Sequence, residues 1–162
     1  MPQTRHPLIG GQEIEGFAGL HEVCSPHLGT VVGSVSYLDH DQMLMAITEA
    51  DQTFRSFRNT SPKDRSDILQ KTSLLLSDRK EEIALLITAE SGKPITYSRI
   101  EVDRAVFTFS AAAKAALNAH DDITPDLLGA PNAAGRTVTY RNFPVGIVAA
   151  ITPFNFPLNL VA

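Results

Sequence analysis

The run GIVAAI at residues 146–151 carries no polar side chain, and TPFNFP comes directly after it. A run with no polar face suits a strand buried on both sides in a parallel sheet rather than a half-exposed antiparallel one. Such a strand must be covered by other elements, which commits the chain to an α/β layer architecture. Pro153 and Pro157 punctuate the segment after the strand, because proline fixes φ and supplies no backbone N–H. Pro157 suits the first turn of a helix, with Asn155 or a neighbour near its N-cap. Strand, tight turn and helix start form the unit that places ligands in open α/β sheets, beyond the carboxyl ends of the strands.

The rest of the chain reads as strands first and helices after. LIGG, HEVC and TVVGSV are short apolar or β-branched runs, separated by Gly10-Gly11 and Ser25-Pro26. From Asp39 onward Met43, Ile47, Ala50, Phe54 and Phe57 recur at helical spacing, and Asp39 with Gln42 resembles a capping box. Ser61-Pro62-Lys63-Asp64 is a second helix start, with Ile68, Leu75 and Leu76 on its buried side. Ile83, Leu86 and Ile87 continue that periodicity to Ser91-Gly92, where Gly92 offers a left-handed cap and Pro94 prevents simple continuation. A third helix carries Val102, Val106, Phe109, Ala113 and Ala116, with Arg99 and Asp103 one turn apart and able to pair. Met43, Ile47, Phe54, Leu76, Val106 and Phe109 are expected to be buried together. HDDITPDLLGAPNAAG reads as a loop, and RTVTYRN alternates as a half-exposed strand does.

Composition narrows the function classes. Hydrophobic residues make up 43% and charged residues 20%, a globular rather than disordered balance. A net charge of -4 without a basic cluster argues against nucleic acid. No segment has the length and apolarity of a signal peptide or a membrane span, so a cytoplasmic protein is expected. The single cysteine, Cys24, rules out an internal disulfide and is expected as a small buried or half-buried thiol. His6, His21, His27, His40 and His120 lack metal-ligand spacing, so no metal site is expected. Glu101, Asp103 and Arg104 read as a solvated charge cluster, and Glu90 and Lys93 as structural residues. Asn155 has two readings from its residues alone. It is either a cap or turn residue, or a fixed neutral N–H donor suited to an oxyanion as it forms.

PVGIVAAITPFNFPLNLVA closely resembles the segment of the NAD(P)-dependent aldehyde dehydrogenases in which a proline-aromatic-Asn-Phe-Pro motif succeeds the first nucleotide-binding strand. AESGKP at 89–94 is similar to that family's Glu-Ser/Thr-Gly-Lys-Pro turn. SPHLGTVVGSV resembles its Asn-Pro-x-x-Gly hairpin, with Ser25 where asparagine is common. Phe154 stands where many members have tryptophan, and Phe143 where many have glutamate. The resemblance runs from about Leu8 to Ala162.

This resemblance implies an α/β fold: an N-terminal hairpin and helical portion plus the first strand of a Rossmann-like cofactor-binding domain, incomplete. Residues 1–136 would be strands and helices of the cofactor-binding domain, 137–143 a strand of the oligomerisation sheet, and 144–162 the first nucleotide-binding strand with the start of its helix. Asn155 would be the oxyanion-hole asparagine. Ile151, Thr152, Pro153 and Phe154 would line the cofactor cleft for NAD or NADP. The family's nucleophilic cysteine, general-base glutamate, ribose-contacting lysine and glycine-rich turn come later than Ala162. The chain is therefore expected to be the front part of a larger enzyme, a homodimer or homotetramer acting on a small aldehyde such as lactaldehyde or a semialdehyde. By itself it would be inactive, with Leu158, Leu160 and Val161 lacking packing partners. A coenzyme A-acylating relative and a non-enzymatic interaction module are the alternatives.

Overall fold

The structure is a computed structural model of the 162-residue chain and describes residues 3–118, 122–123, 136, 138 and 140–162. Five strands come first: β1 (Gln3–Arg5), β2 (Leu8–Ile9), β3 (Gln12–Glu13), β4 (Leu20–Cys24) and β5 (Val31–Ser36). β1, β5 and β4 form a three-stranded sheet in that order, β1 parallel and β4 antiparallel to β5. β2 and β3 pair across Gly10-Gly11, whose φ values of 58° and 80° are what a two-residue hairpin turn of this hand requires.

Four helices come next: α1 (His40–Phe57), α2 (Pro62–Asp78), α3 (Lys80–Ser91) and α4 (Ile95–Leu117). Both expected capping boxes are present. The Asp39 carboxylate accepts from the Gln42 N–H at 2.8 Å, and the Ser61 hydroxyl from the Asp64 N–H at 3.0 Å. Gln42 does more than close its box. Its side-chain oxygen accepts from the Phe17 N–H and its amide donates to the Glu15 carbonyl, which docks α1 on the loop ahead of β4.

The core lies between α3 and α4, where Ala84, Ile87 and Val102 are buried with Ile83, Ile95, Val106 and Leu158 packed around them. α2 and α4 share the largest helix interface, and small buried residues allow the close approach: Ser66 and Ser73 on α2, Ala105 and Ala113 on α4. Ser73 Oγ donates to the Val106 carbonyl at 2.8 Å, which satisfies a hydroxyl that would otherwise be stranded. Two short strands, β6 (Asp122–Ile123) and β7 (Tyr140–Arg141), pair antiparallel. Sheet and helices together make a mixed α/β arrangement, a partial Rossmann-like one.

Several expectations need correction. The helix read from Ser61 to Gly92 is two helices, broken at Arg79 with φ -101° and ψ 17°. No glycine or proline marks the break; the Arg79 guanidinium instead grips Glu82 in the next turn through two hydrogen bonds of 2.9 and 2.6 Å. Arg99 and Asp103 do not pair with each other. Arg99 reaches Glu81 and Asp103 meets Lys80, so both pairs tie α4 to α3. Of the six residues expected to be buried together, Phe54, Leu76, Val106 and Phe109 are half-buried, while Met43 and Ile47 are exposed. Ile68, Leu75 and Leu86 are also exposed. Helical spacing identifies a stripe correctly but does not supply the element that covers it. Leu158 does find partners, on Ala84, Ile87 and Val102.

The segment that most constrains the sequence reading differs most. Residues 142–150 carry no regular structure, and Val145 and Ile151 are 89% and 99% exposed. A parallel strand holds its shape through ladders to its neighbours, and no described residue pairs with this one. Among the described residues of RTVTYRN, Tyr140–Arg141 form a strand, and its partner β6 lies inside the stretch read as a loop. Thr137, Thr139, His120 and most of that loop fall outside the described residues.

Gly92 ends α3 with φ 69°, donating its N–H to the Thr88 carbonyl. A Cβ there would stand 2.9 Å from Pro26 Cγ in the β4–β5 turn. Gly92→Ala is therefore expected to destabilise the chain by about 1–3 kcal/mol, from αL strain and this close contact. Urea denaturation of the two proteins measures it, and an unchanged midpoint would contradict the contact.

Candidate functional site

The TPFNFPLN stretch closes into one helical turn. The Phe156 carbonyl accepts from the Leu160 N–H at 3.1 Å, and the Leu158 carbonyl accepts from the Ala162 N–H at 3.1 Å. Phe156 thus stands at the cap position and Pro157 at the first helical position, as a proline prefers. The next two N–H groups, of Leu158 and Asn159, have no partner within the turn. Both donate to Oε1 of Glu101, at 2.9 and 3.3 Å. A carboxylate 57 residues away in sequence does the work that a local Ser, Asp or Asn usually does at a helix start.

The second Glu101 oxygen pairs with Lys93 Nζ, and the two side chains are only 0% and 16% exposed. Lys93 also donates to the Asn155 carbonyl at 3.0 Å. Its ammonium lies 4.3 Å from the centre of the Phe156 ring, and the Arg104 guanidinium lies 5.6 Å from that centre. Burial pushes the Glu101 carboxyl up, but the hydrogen bonds from Lys93 and the two backbone N–H groups, with the lysine charge, outweigh it. The carboxyl is held below the ordinary glutamate value.

This geometry revises the sequence reading of three residues. Glu101 is not part of a solvated cluster: it is 1% exposed and holds the turn. The signal was its position, since Ser98, Glu101, Val102 and Ala105 are all buried and keep helical spacing, which puts a glutamate inside the covered stripe of α4. Lys93 is structural as read, but its partners are Glu101 and the Asn155 carbonyl rather than a helix dipole. Asn155 is not the cap. It precedes the capping position, is exposed, and its side chain has no partner among the described residues. Thr152, Pro153 and Phe154 are exposed alongside it, Phe154 at 92%.

Other candidates stay apart from this turn. Cys24 is exposed, not buried or half-buried as expected: it falls on the same side of β4 as Leu20 and Glu22, which are exposed too. Glu90 is exposed near the end of α3. Among the described residues no group of histidine, cysteine and acidic side chains could hold a metal, and no helix is long and apolar enough to cross a membrane. A groove of about 870 Å³ is lined by Phe54, Phe57, Arg58, Phe143 and Val145 among others, and does not include Asn155.

The turn packs on α3 and α4 and presents the Asn155 amide. The model of the aldehyde dehydrogenase family matches residues 15–162, and the chain belongs to that family, whose members are NAD(P)-dependent oxidoreductases. It is 40% identical over 141 residues to a lactaldehyde dehydrogenase of Methanococcus aeolicus, covering 87% of this chain and 29% of that protein. It is 34% identical over 155 residues to a mitochondrial succinate-semialdehyde dehydrogenase of Oryza sativa subsp. japonica, covering 95% and 28%. Aldehyde dehydrogenase 21 of Physcomitrella patens, solved with the reaction product succinate, superposes with a TM-score of 0.90 at 29% identity, covering 99% of this chain and 33% of that one. Structures matched by the chain include a complex with nicotinamide adenine dinucleotide. The chain spans about three-tenths of the length of the curated relatives it matches.

Because the Glu101 carboxyl is held low, its contribution to stability is complete above the ordinary value of 4.5 and is lost as pH falls through the lower folded value. The parent chain is expected to lose more stability between about pH 5 and pH 3 than a Glu101→Gln variant, which has no proton to take up there. Urea denaturation across that range measures the difference. Parallel curves would remove Glu101 as the acid-sensitive contact.

Proposed function

We propose that this chain is the N-terminal part of an NAD(P)-dependent aldehyde dehydrogenase that oxidises a small aldehyde to a carboxylic acid. The observation that carries the reading is the Asn155 amide, exposed on a turn whose backbone is held at the Asn155 carbonyl and at the Leu158 N–H and whose capping is done by another residue. A neutral donor held in place before the reaction is what a developing oxyanion requires, since its dipole need not reorient. Asn155 is assigned that role. Ile151, Thr152, Pro153 and Phe154 are assigned to one wall of the cofactor cleft. Their exposed, uncharged and largely apolar surface fits a flat nicotinamide ring, and no acidic group stands among them to repel a phosphate. When bound, NAD or NADP would supply the hydride acceptor. The names of the relatives favour small aldehydes with a polar or anionic end, a lactaldehyde or a semialdehyde. Residues 1–136 and 144–162 are assigned to the cofactor-binding domain, 137–143 to a strand of the oligomerisation sheet, and a homodimer or homotetramer to the whole enzyme.

Two measurements test this reading. The 162-residue chain alone is expected to show no aldehyde oxidation and to bind NAD weakly or not at all, because the residues that would provide the nucleophile, the base and a pyrophosphate-binding helix start are not in it. Turnover of lactaldehyde or glycolaldehyde above a buffer blank, retained after Cys24→Ala, would overturn the assignment, as would sub-micromolar NAD binding by calorimetry. In the full-length polypeptide, Asn155→Ala is expected to lower kcat by about a hundred- to thousand-fold, with little change in KM for the cofactor and an unchanged unfolding midpoint. Near-normal kcat in a folded variant would return Asn155 to an ordinary turn residue.

A further inference from the structure

Six ion pairs join described residues, and five of them leave both side chains at least 38% exposed. Only Lys93–Glu101 is buried. Burying a pair of charges costs more desolvation than an apolar pair of similar shape, so stability alone does not account for its place in the fold. Its partners do. The ammonium holds the carbonyl of Asn155 itself, and the carboxylate holds the N–H groups of Leu158 and Asn159. The ring of Phe156, between those anchors, lies against the Lys93 and Arg104 cations.

We propose that Lys93 and Glu101 are positioning residues for the Asn155 amide: Lys93 holds the peptide that follows Asn155 and Glu101 the helix start three and four residues on, so that its side chain projects from a backbone anchored on its C-terminal side. The proposal rests on Asn155 being the oxyanion donor. Neither Lys93 nor Glu101 need touch substrate; each acts through the backbone of the turn. Catalytic donors lose effect steeply with misplacement, about a hundredfold for 1 Å, so a loosened turn is read as lost turnover rather than lost binding.

The test uses the full-length polypeptide with Asn155→Ala, Glu101→Gln, Lys93→Gln, Lys93→Arg and the Asn155→Ala/Glu101→Gln pair. For Glu101→Gln and Lys93→Gln, kcat is expected to fall about ten- to a hundred-fold with KM for aldehyde and cofactor within about twofold, and Lys93→Arg is expected to recover most of the loss. The double variant is expected to match Asn155→Ala alone, because a positioning residue has nothing left to position. Normal kcat in Glu101→Gln beside a strong loss in Asn155→Ala overturns the positioning role and leaves the oxyanion assignment intact. Losses that multiply in the double variant also overturn it. Normal kcat in Asn155→Ala instead overturns the oxyanion assignment, and the positioning role with it. In the 162-residue chain, NMR gives an independent readout: Glu101→Gln is expected to raise amide exchange at Leu158 and Asn159 and to loosen the Asn155 side-chain amide. Unchanged exchange at both amides, in a variant whose other resonances are preserved, overturns the anchoring.

Discussion

Glu101 divides its carboxylate between charge and backbone. One oxygen meets the Lys93 ammonium, and the other takes the two N–H groups that open the turn after Pro157. Two stretches far apart in sequence meet at this one side chain: the turn after α3 with the second turn of α4, and residues 155–159. A neutral residue of the same shape could accept one of these contacts but not balance the lysine. A charged residue without the lysine would be buried and unpaired, which is among the costlier arrangements in a protein interior. The pair is thus interdependent, and it sets the path of the backbone through Asn155.

The scaffold delivers these partners by close approach rather than by bulk. Small buried side chains on α2 and α4 bring those helices together, and Ala84, Ile87 and Val102 seat α3 on the same face. Leu158 packs on that cluster, so the turn is held by an apolar contact beneath and polar contacts above. Gly92 places Lys93 immediately after a left-handed residue, at a point where Pro26 of the β4–β5 turn leaves no room for a Cβ.

Local signals were legible in the sequence and long-range ones were not. Asp39 with Gln42, Ser61 with Asp64, Gly10-Gly11 and Gly92 act within a few residues of themselves, and the structure places each as read. The break at Arg79 has no backbone-breaking residue to announce it, only a guanidinium that grips Glu82. Met43 and Ile47 are exposed because no described element covers their stripe of α1. GIVAAI shows the same limit more strongly, because a strand is defined by its neighbours as much as by its own residues. The proline-bounded motif identified the family, yet Glu101, which holds that motif in place, read as an ordinary surface acid. Its partners in that motif are backbone N–H groups, and every residue but proline has one.

The contacts that hold the turn also have an order in time. Lys93 leaves the ribosome first, Glu101 eight residues later, and the N–H groups of Leu158 and Asn159 last. Each partner is therefore waiting when the next arrives, and the Glu101 bonds need nothing beyond Asn159 to close. In a polypeptide made from its N-terminus and folding by units, the backbone around Asn155 can set while later residues are still being added.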